Sequence, residues 1–241
     1  MEIEKYRYTA HRGLYDSKNK IPENSMLAFQ KAIENQFAIE LDVHLTKDHQ
    51  VVVFHDENMK RMTKKEARIE DCTYEELQDL TLQETTQKIP LLQEVLDLVK
   101  GRVGMIIEIK NNRKVGPLER LVTEMLQSYT GDYMVESFNP FTVWWLKKHT
   151  PHIIRGQLSD RNESAFSSKM VRYFFGKMIL NPITKPDFIA YKIEDITPSF
   201  YEKYQRKGIT VVSWTIRSEV QVKEAFSRSD AIIFENFIPK R

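Results

Sequence analysis

Eight short runs rich in β-branched and aromatic residues, separated by stretches with helical periodicity, constrain the fold more than any other feature of the chain. They are Arg7 to Ala10, Ala38 to Val43, Gly104 to Ile109, Tyr133 to Ser137, Ile153 to Leu158, Phe188 to Lys192, Ile209 to Ile216 and Ala231 to Phe234. Between them, apolar residues recur at helical spacing: Phe29, Ala32 and Ile33, then Leu92, Val95, Leu96 and Val99, then Leu118, Leu121, Val122 and Met125. Asn139 before Pro140 reads as an N-cap with proline at the first helical position, and Ser218 with Gln221 as a capping box. Gly208 reads as the stop of a helix over 200–207. Repeated strand and helix alternation of this length favours a parallel sheet, and eight such units favour closure into an α/β (β/α)8 TIM barrel.

A ninth run, Val51 to Phe54, follows the second strand after only the short polar stretch Thr46 to Gln50. A parallel crossover needs roughly a dozen residues, so this run is expected to return as a hairpin. It would bring His55 and Asp56 back over the mouth of the barrel, where active sites of this fold are built. The polar region Glu57 to Lys88, with a short helical signal at Tyr74 to Leu80, continues the excursion. The expectation is therefore a single domain over 1–241 with a hairpin or cap insertion at about 46–90. A chain of 241 residues with 41% hydrophobic content can bury a core of that size.

Composition excludes some partners. Lys plus Arg is 36 and Asp plus Glu is 34, a formal charge of +2 without the basic stripe a nucleic-acid binder needs. The single cysteine, Cys72, has no intramolecular partner and no zinc-type spacing around it, which suits a reducing, cytoplasmic setting. The first ten residues lack the apolar middle of a secretion signal, and nowhere do 18 apolar residues run together, so no stable membrane insertion is expected. The segment Ala165 to Leu180 sets Phe166, Met170, Val171, Phe174, Phe175, Met178 and Ile179 among Lys169, Arg172 and Lys177. It reads as a helix packing an apolar stripe on the core, with an interfacial helix touching membrane as the alternative. Oligomeric state is not legible.

Chemistry concentrates in five separated residues at strand ends: His11, Glu40, Asp42, His55 and Glu108. Glu40 and Asp42 are two apart, so on a strand they share one side, the lumen of a barrel, while Ile39, Leu41 and Val43 take the other. Carboxylates so placed repel one another and are costly to desolvate unless a cation sits between them. Glu108 adds a third from the next barrel strand, and an all-oxygen set selects a hard ion, Mg2+ or Ca2+, over zinc. The competing reading pairs each acid with a neighbouring base.

His11 ends the first run, and Gly13 permits the tight turn that follows. Two imidazoles near one metal can divide proton removal and proton donation, since imidazole titrates near neutral pH. Arg12 and Lys110 would meet a phosphate, the first by its forked donors and the second as a point charge, or would pair with the acids, or both. This is the equipment of a metal-assisted phosphoester cleavage. His44, His49, His149 and His152 read as surface or loop residues.

The ordered motifs His11-Arg12-Gly13, Pro22-Glu23-Asn24-Ser25, Glu40-Leu41-Asp42-Val43, Thr46-Lys47-Asp48, Val52-Val53-Phe54-His55-Asp56, Ile89-Pro90-Leu91 and Glu108-Ile109-Lys110 resemble the glycerophosphodiester phosphodiesterase family. Ser137-Phe138-Asn139 and Val212-Ser213-Trp214-Thr215-Ile216 extend the likeness over most of the chain. The resemblance implies a TIM barrel that uses a divalent cation to hydrolyse small glycerophosphodiesters to an alcohol and glycerol 3-phosphate. It implies Glu40, Asp42 and Glu108 as metal ligands, His11 and His55 as acid and base, Glu23 as a support, and Phe138 and Trp214 as walls around the glycerol. For the two aromatics, plain core packing is the alternative. The chain departs from the family pattern at Leu14-Tyr15, in the lysine-bearing loop Asp16 to Ile21, and at Ile233-Phe234-Glu235-Asn236, which bears on pocket shape. A lipid-directed phosphodiesterase of phospholipase D type on the same scaffold is the alternative function. A non-catalytic binding module would be expected to have lost at least one of the five core residues, and all are present.

Overall fold

The computed structural model describes residues 2–111, 114–161 and 178–241. Its strands in chain order are β1 Tyr8–Ala10, β2 Ala38–Leu45, β3 Val51–Val53, β4 Met105–Ile109, β5 Tyr133–Ser137, β6 Arg155–Ser159, β7 Phe188–Lys192, β8 Thr210–Ile216 and β9 Ala231–Phe234. In the sheet they follow the order β1-β9-β8-β7-β6-β5-β4-β2-β3, with β1 also paired to β2, and helices come between them in sequence. This is the closed (β/α)8 barrel expected from the sequence, with β3 as the extra strand. By contact the chain divides into two compact units, one of residues 10–133 and the other of 1–9 together with 134–241.

In the first unit, β2 pairs in parallel with β4, setting Asp42 opposite Glu108 and Glu40 opposite Ile106. It pairs antiparallel with β3, Val43 opposite Val53 and Leu45 opposite Val51, which is the expected hairpin. Thr46 closes the turn: its hydroxyl donates to Asp48 (2.6 Å) and accepts from the Gln50 amide (2.8 Å). The helix Met26–Glu34 starts at Ser25, whose hydroxyl accepts from the Ala28 amide (3.2 Å), and buries Ala28, Phe29, Ala32 and Ile33 along one face. Gly13 sits at φ +79°, and a Cβ there would come within 2.9 Å of Ala28 and Phe29, so the turn after β1 passes this helix only without a side chain. From β3 onward the chain builds a small apolar cluster of its own from Val52, Phe54, Met59, Met62, Ile69, Cys72, Leu77, Leu82 and Ile89. Within it the expected helical signal becomes the helix Tyr74–Gln78, opened by a full capping box between Thr73 and Glu76.

In the second unit β5, β6, β7, β8 and β9 pair in parallel in that order. Phe188 lies across Gly156 so closely that a Cβ on Gly156 would stand 2.2 Å from its ring. The helix Pro140–His149 has the expected cap, the Asn139 side-chain Oδ1 accepting from the Phe141 amide (3.0 Å). The helix read over 200–207 is Pro198–Gln205, and Gly208 follows at φ +66°. Ser218 caps the helix Glu219–Phe226, but the Gln221 side chain accepts from the Arg217 amide rather than completing the box on Ser218. The apolar segment read as a helix over 165–180 lies, through residue 177, outside the described residues. Among the described residues no helix is long and apolar enough to cross a membrane.

Candidate active site

The strands β2 and β4 assemble the acids. Glu40 and Asp42 share one side of β2 by the two-residue period, and the parallel register puts Glu108 beside Asp42 on that side. One oxygen from each of the three buried carboxylates lies within 4.8 Å of the other two. Lys110 Nζ stands 2.8 Å from Glu108 Oε1 and 3.1 Å from Asp42 Oδ1, while Arg12 Nε is 3.5 Å from Asp42 Oδ2. The Arg12 amide donates to Glu40 Oε2 (2.9 Å), and Asn24 donates to Asp42 Oδ2 (2.8 Å).

These neighbours divide the protons unevenly. Against the effect of burial, Lys110, His55 and Arg12 hold Asp42 well below the usual carboxylate range. Burial pushes Glu108 up to about 7, with Lys110 opposing and the negative charge of Asp42 adding to the rise. Lys110, although buried, is held above the usual ammonium value by Asp42 and Glu108. The set fits a hard divalent cation on its donor chemistry, three carboxylate oxygens and no thiolate. Glu108 also supports the fit: an acid pushed toward protonation by burial and a like charge is one that such a cation would keep ionised.

The histidines approach by different routes. His11 Nε2 lies 3.9 Å from Glu40 Oε2. His55 follows β3, where the Phe54 amide donates to the Asp42 carbonyl (2.9 Å) and ties this stretch to the carboxylate strand. Its Nδ1 is 2.7 Å from Asp56 Oδ1, a pairing that assigns the proton to Nδ1 and leaves a lone pair on Nε2. Burial lowers the His55 pKa below its usual value, with Asp42 and Asp56 opposing.

Arg12 and Asn24 both adopt left-handed backbone, φ +55° and +53°, joined by the Asn24 amide donating to the Arg12 carbonyl (2.9 Å). A left-handed arginine costs about 1–3 kcal/mol, which the surrounding bonds must offset. Its guanidinium donates to Glu23 Oε1 (2.7 Å). Arg61, from the short helix Lys60–Thr63, grips both Glu23 and Asp56 with paired hydrogen bonds.

All five core residues, with Arg12, Lys110 and Glu23, therefore fall in the unit of residues 10–133. Phe138 and Trp214 belong to the other unit, where their rings meet edge to face at 5.8 Å and 85°. Sequence reasoning assigned no role to Asn24, Asp56 or Arg61. His44 is a correction: it is wholly buried in β2 rather than on a surface or loop, its Nε2 3.2 Å from the His55 carbonyl. The reason is strand length, since β2 runs to Leu45 instead of ending at Val43, and the alternation Glu40, Asp42, His44 could have signalled a third residue on that side. His49, His149 and His152 are exposed, as read from the sequence.

Residues 11–238 match the glycerophosphoryl diester phosphodiesterase family. The chain belongs to this family. A glycerophosphodiester phosphodiesterase of Caldanaerobacter subterraneus subsp. tengcongensis is 30% identical over 239 residues, covering 94% of this chain and 93% of that one. A lysophospholipase D of Homo sapiens is 36% identical over 265 residues, covering 91% and 80% of the respective chains. An Oleispira antarctica phosphodiesterase solved with the product sn-glycerol-3-phosphate superposes with a TM-score of 0.79 over 95% of this chain and 92% of its own; at 22% identity it shows the shared fold. A glycerophosphodiester phosphodiesterase of Thermotoga maritima, 27% identical, gives 0.73 over 95% and 94%. This family member is thus a phosphoric diester hydrolase acting on glycerophosphodiesters.

Proposed function

We propose that the phosphodiesterase hydrolyses glycerophosphodiesters to an alcohol and sn-glycerol 3-phosphate, with Mg2+ or Ca2+ held by Glu40, Asp42 and Glu108. The observation that carries this reading is the convergence of one oxygen from each of the three buried acids within 4.8 Å, on register-locked strands. When bound, such an ion supplies Lewis-acid polarisation of the phosphoryl oxygens. His55, with Asp56 on Nδ1 and a pKa lowered by burial, accepts through Nε2 the proton of the attacking water or substrate hydroxyl. His11, beside Glu40, returns a proton to the departing alcohol oxygen. Arg12 and Lys110, both kept charged by their acidic neighbours, offset charge that grows on the phosphoryl oxygens. Glu23 steadies Arg12.

A second reading, a lysophospholipid as substrate, is favoured by the 36% identity to the human lysophospholipase D. One assay addresses both: release of glycerol 3-phosphate from glycerophosphocholine and glycerophosphoethanolamine, and of lysophosphatidic acid from lysophosphatidylcholine, with Mg2+, with Ca2+ and with chelator. Metal-dependent release of glycerol 3-phosphate, lost in Glu108→Ala, is the expected result. Turnover of the lysolipid alone would replace the first reading by the second. Undiminished turnover by folded Glu108→Ala would remove the three-carboxylate site.

A further inference from the structure

The short helix Lys60–Thr63 carries an arginine, Arg61, that none of the foregoing steps uses. Arg61 Nε and Nη2 donate to Asp56 Oδ2 (2.6 Å) and Oδ1 (2.9 Å), and Nη1 and Nη2 donate to Glu23 Oε2 (2.9 Å) and Oε1 (2.6 Å). Each acid already serves a residue of the proposed reaction. Asp56 Oδ1 pairs with His55 Nδ1, and Glu23 Oε1 takes the hydrogen bond of Arg12. A continuous line of bonded groups thus runs from His55 through Asp56, Arg61 and Glu23 to Arg12.

We infer that Arg61 is a positioning residue that holds the imidazole of His55 and the guanidinium of Arg12 in fixed relation through two forked carboxylate pairs. This rests on the roles given to His55 and Arg12 above. Only a planar guanidinium can offer two parallel bonds to each of two carboxylates at once; an ammonium is a point donor and cannot. Fold geometry supports the assignment. The helix Lys60–Thr63 is anchored by Met59 and Met62, both buried in the apolar cluster, while the Arg61 side chain, 46% exposed, turns the other way toward the acids. The ion pairs of a half-exposed arginine would ordinarily be expected to contribute little to stability. Here its removal would leave Glu23 and Asp56 each short of a two-bond partner, free to swing and to release His55 and Arg12 from their poses.

The experiment compares Arg61→Ala and Arg61→Lys with the natural chain. Long-range 1H–15N correlation of His55, in substrate-free protein with chelator, reads the tautomer without requiring activity. The expected result is a single Nδ1-protonated form in the natural chain and a mixture in both variants. Under the release assay, kcat of Arg61→Ala should fall about 100-fold, the scale of a misplacement by about 1 Å. Added guanidinium should restore part of the loss in Arg61→Ala and none in His55→Ala, and Arg61→Lys should stay close to the alanine variant. An unchanged tautomer in the variants, or near-natural kcat in Arg61→Lys, would overturn the inference, and Arg61→Lys carries both readouts if Arg61→Ala does not fold. A natural chain that releases no product would instead count against the proposed reaction, leaving the tautomer to decide whether Arg61 positions His55.

Discussion

Two regions of the 10–133 unit supply the candidate site, and they hold their side chains by different means. Glu40, Asp42 and Glu108 are carried by β2 and β4, whose hydrogen-bonded register leaves their directions no freedom. His55 and Asp56, in the loop after β3, and Arg61, on the short helix Lys60–Thr63 beyond it, form an arm where a small apolar cluster fixes the backbone and side-chain bonds fix the groups themselves. The strands can tolerate the repulsion of three buried acids because the backbone ladder, not the acids, determines the geometry. In the arm each group is oriented by its neighbour, so a loss at one position is passed along.

The largest effect expected from this contrast is at Asp42, which touches Lys110, Arg12 and Asn24. Asp42→Asn should lower kcat/KM by about 100- to 1,000-fold, on the scale of losing one preorganised electrostatic contact, and should abolish divalent-cation binding in calorimetry while the circular dichroism spectrum is retained. Retained binding would show that β2 does not define the site.

Met59→Ala tests the arm, since Met59 is fully buried in its cluster. A loss of about 2–5 kcal/mol by denaturant unfolding is expected, together with hydrogen exchange that quickens first in residues 54–89. Exchange that quickened equally in β2 and β4 would erase the distinction between the regions.

A third test uses pH. Burial raises Glu108 from 4.5 to about 7 in the folded chain, so between these values the folded state holds a proton that the unfolded state has lost. Its contribution to stability is therefore complete below pH 4.5 and disappears as pH rises through 7. In chelator, the Tm of Glu108→Gln relative to the natural chain should climb across that window; a constant difference would mean that Glu108 is not the strained acid. The smallest effect belongs to Lys60, adjacent to Arg61, which forms an exposed pair with Glu66 at 2.9 Å. Lys60→Ala should change stability by no more than about 1 kcal/mol and leave kcat intact, because exposed pairs of this kind contribute little.

The contrast also separates what could be read in advance from what could not. The carboxylates were legible because strand periodicity is local: two residues apart means the same side, whatever the partner strand. The hairpin was legible because a five-residue turn cannot span a parallel crossover. His44 was misread from a strand judged two residues too short. Arg61 offered no comparable signal, being one cation among several in a polar stretch, with only the flanking Met59 and Met62 to hint at an anchored turn.

By itself, then, the sequence determined the alternation of strands and helices, the family, and the side of β2 on which two of the acids lie, all of which follow from short-range spacing or from motifs kept in order. Only the tertiary structure decided that Asp42 faces Glu108, that Lys110 lies between them, and that Arg61 joins Glu23 to Asp56. These depend on register between distant segments and on which buried charges must share partners, and neither quantity is encoded in the local pattern of the residues concerned.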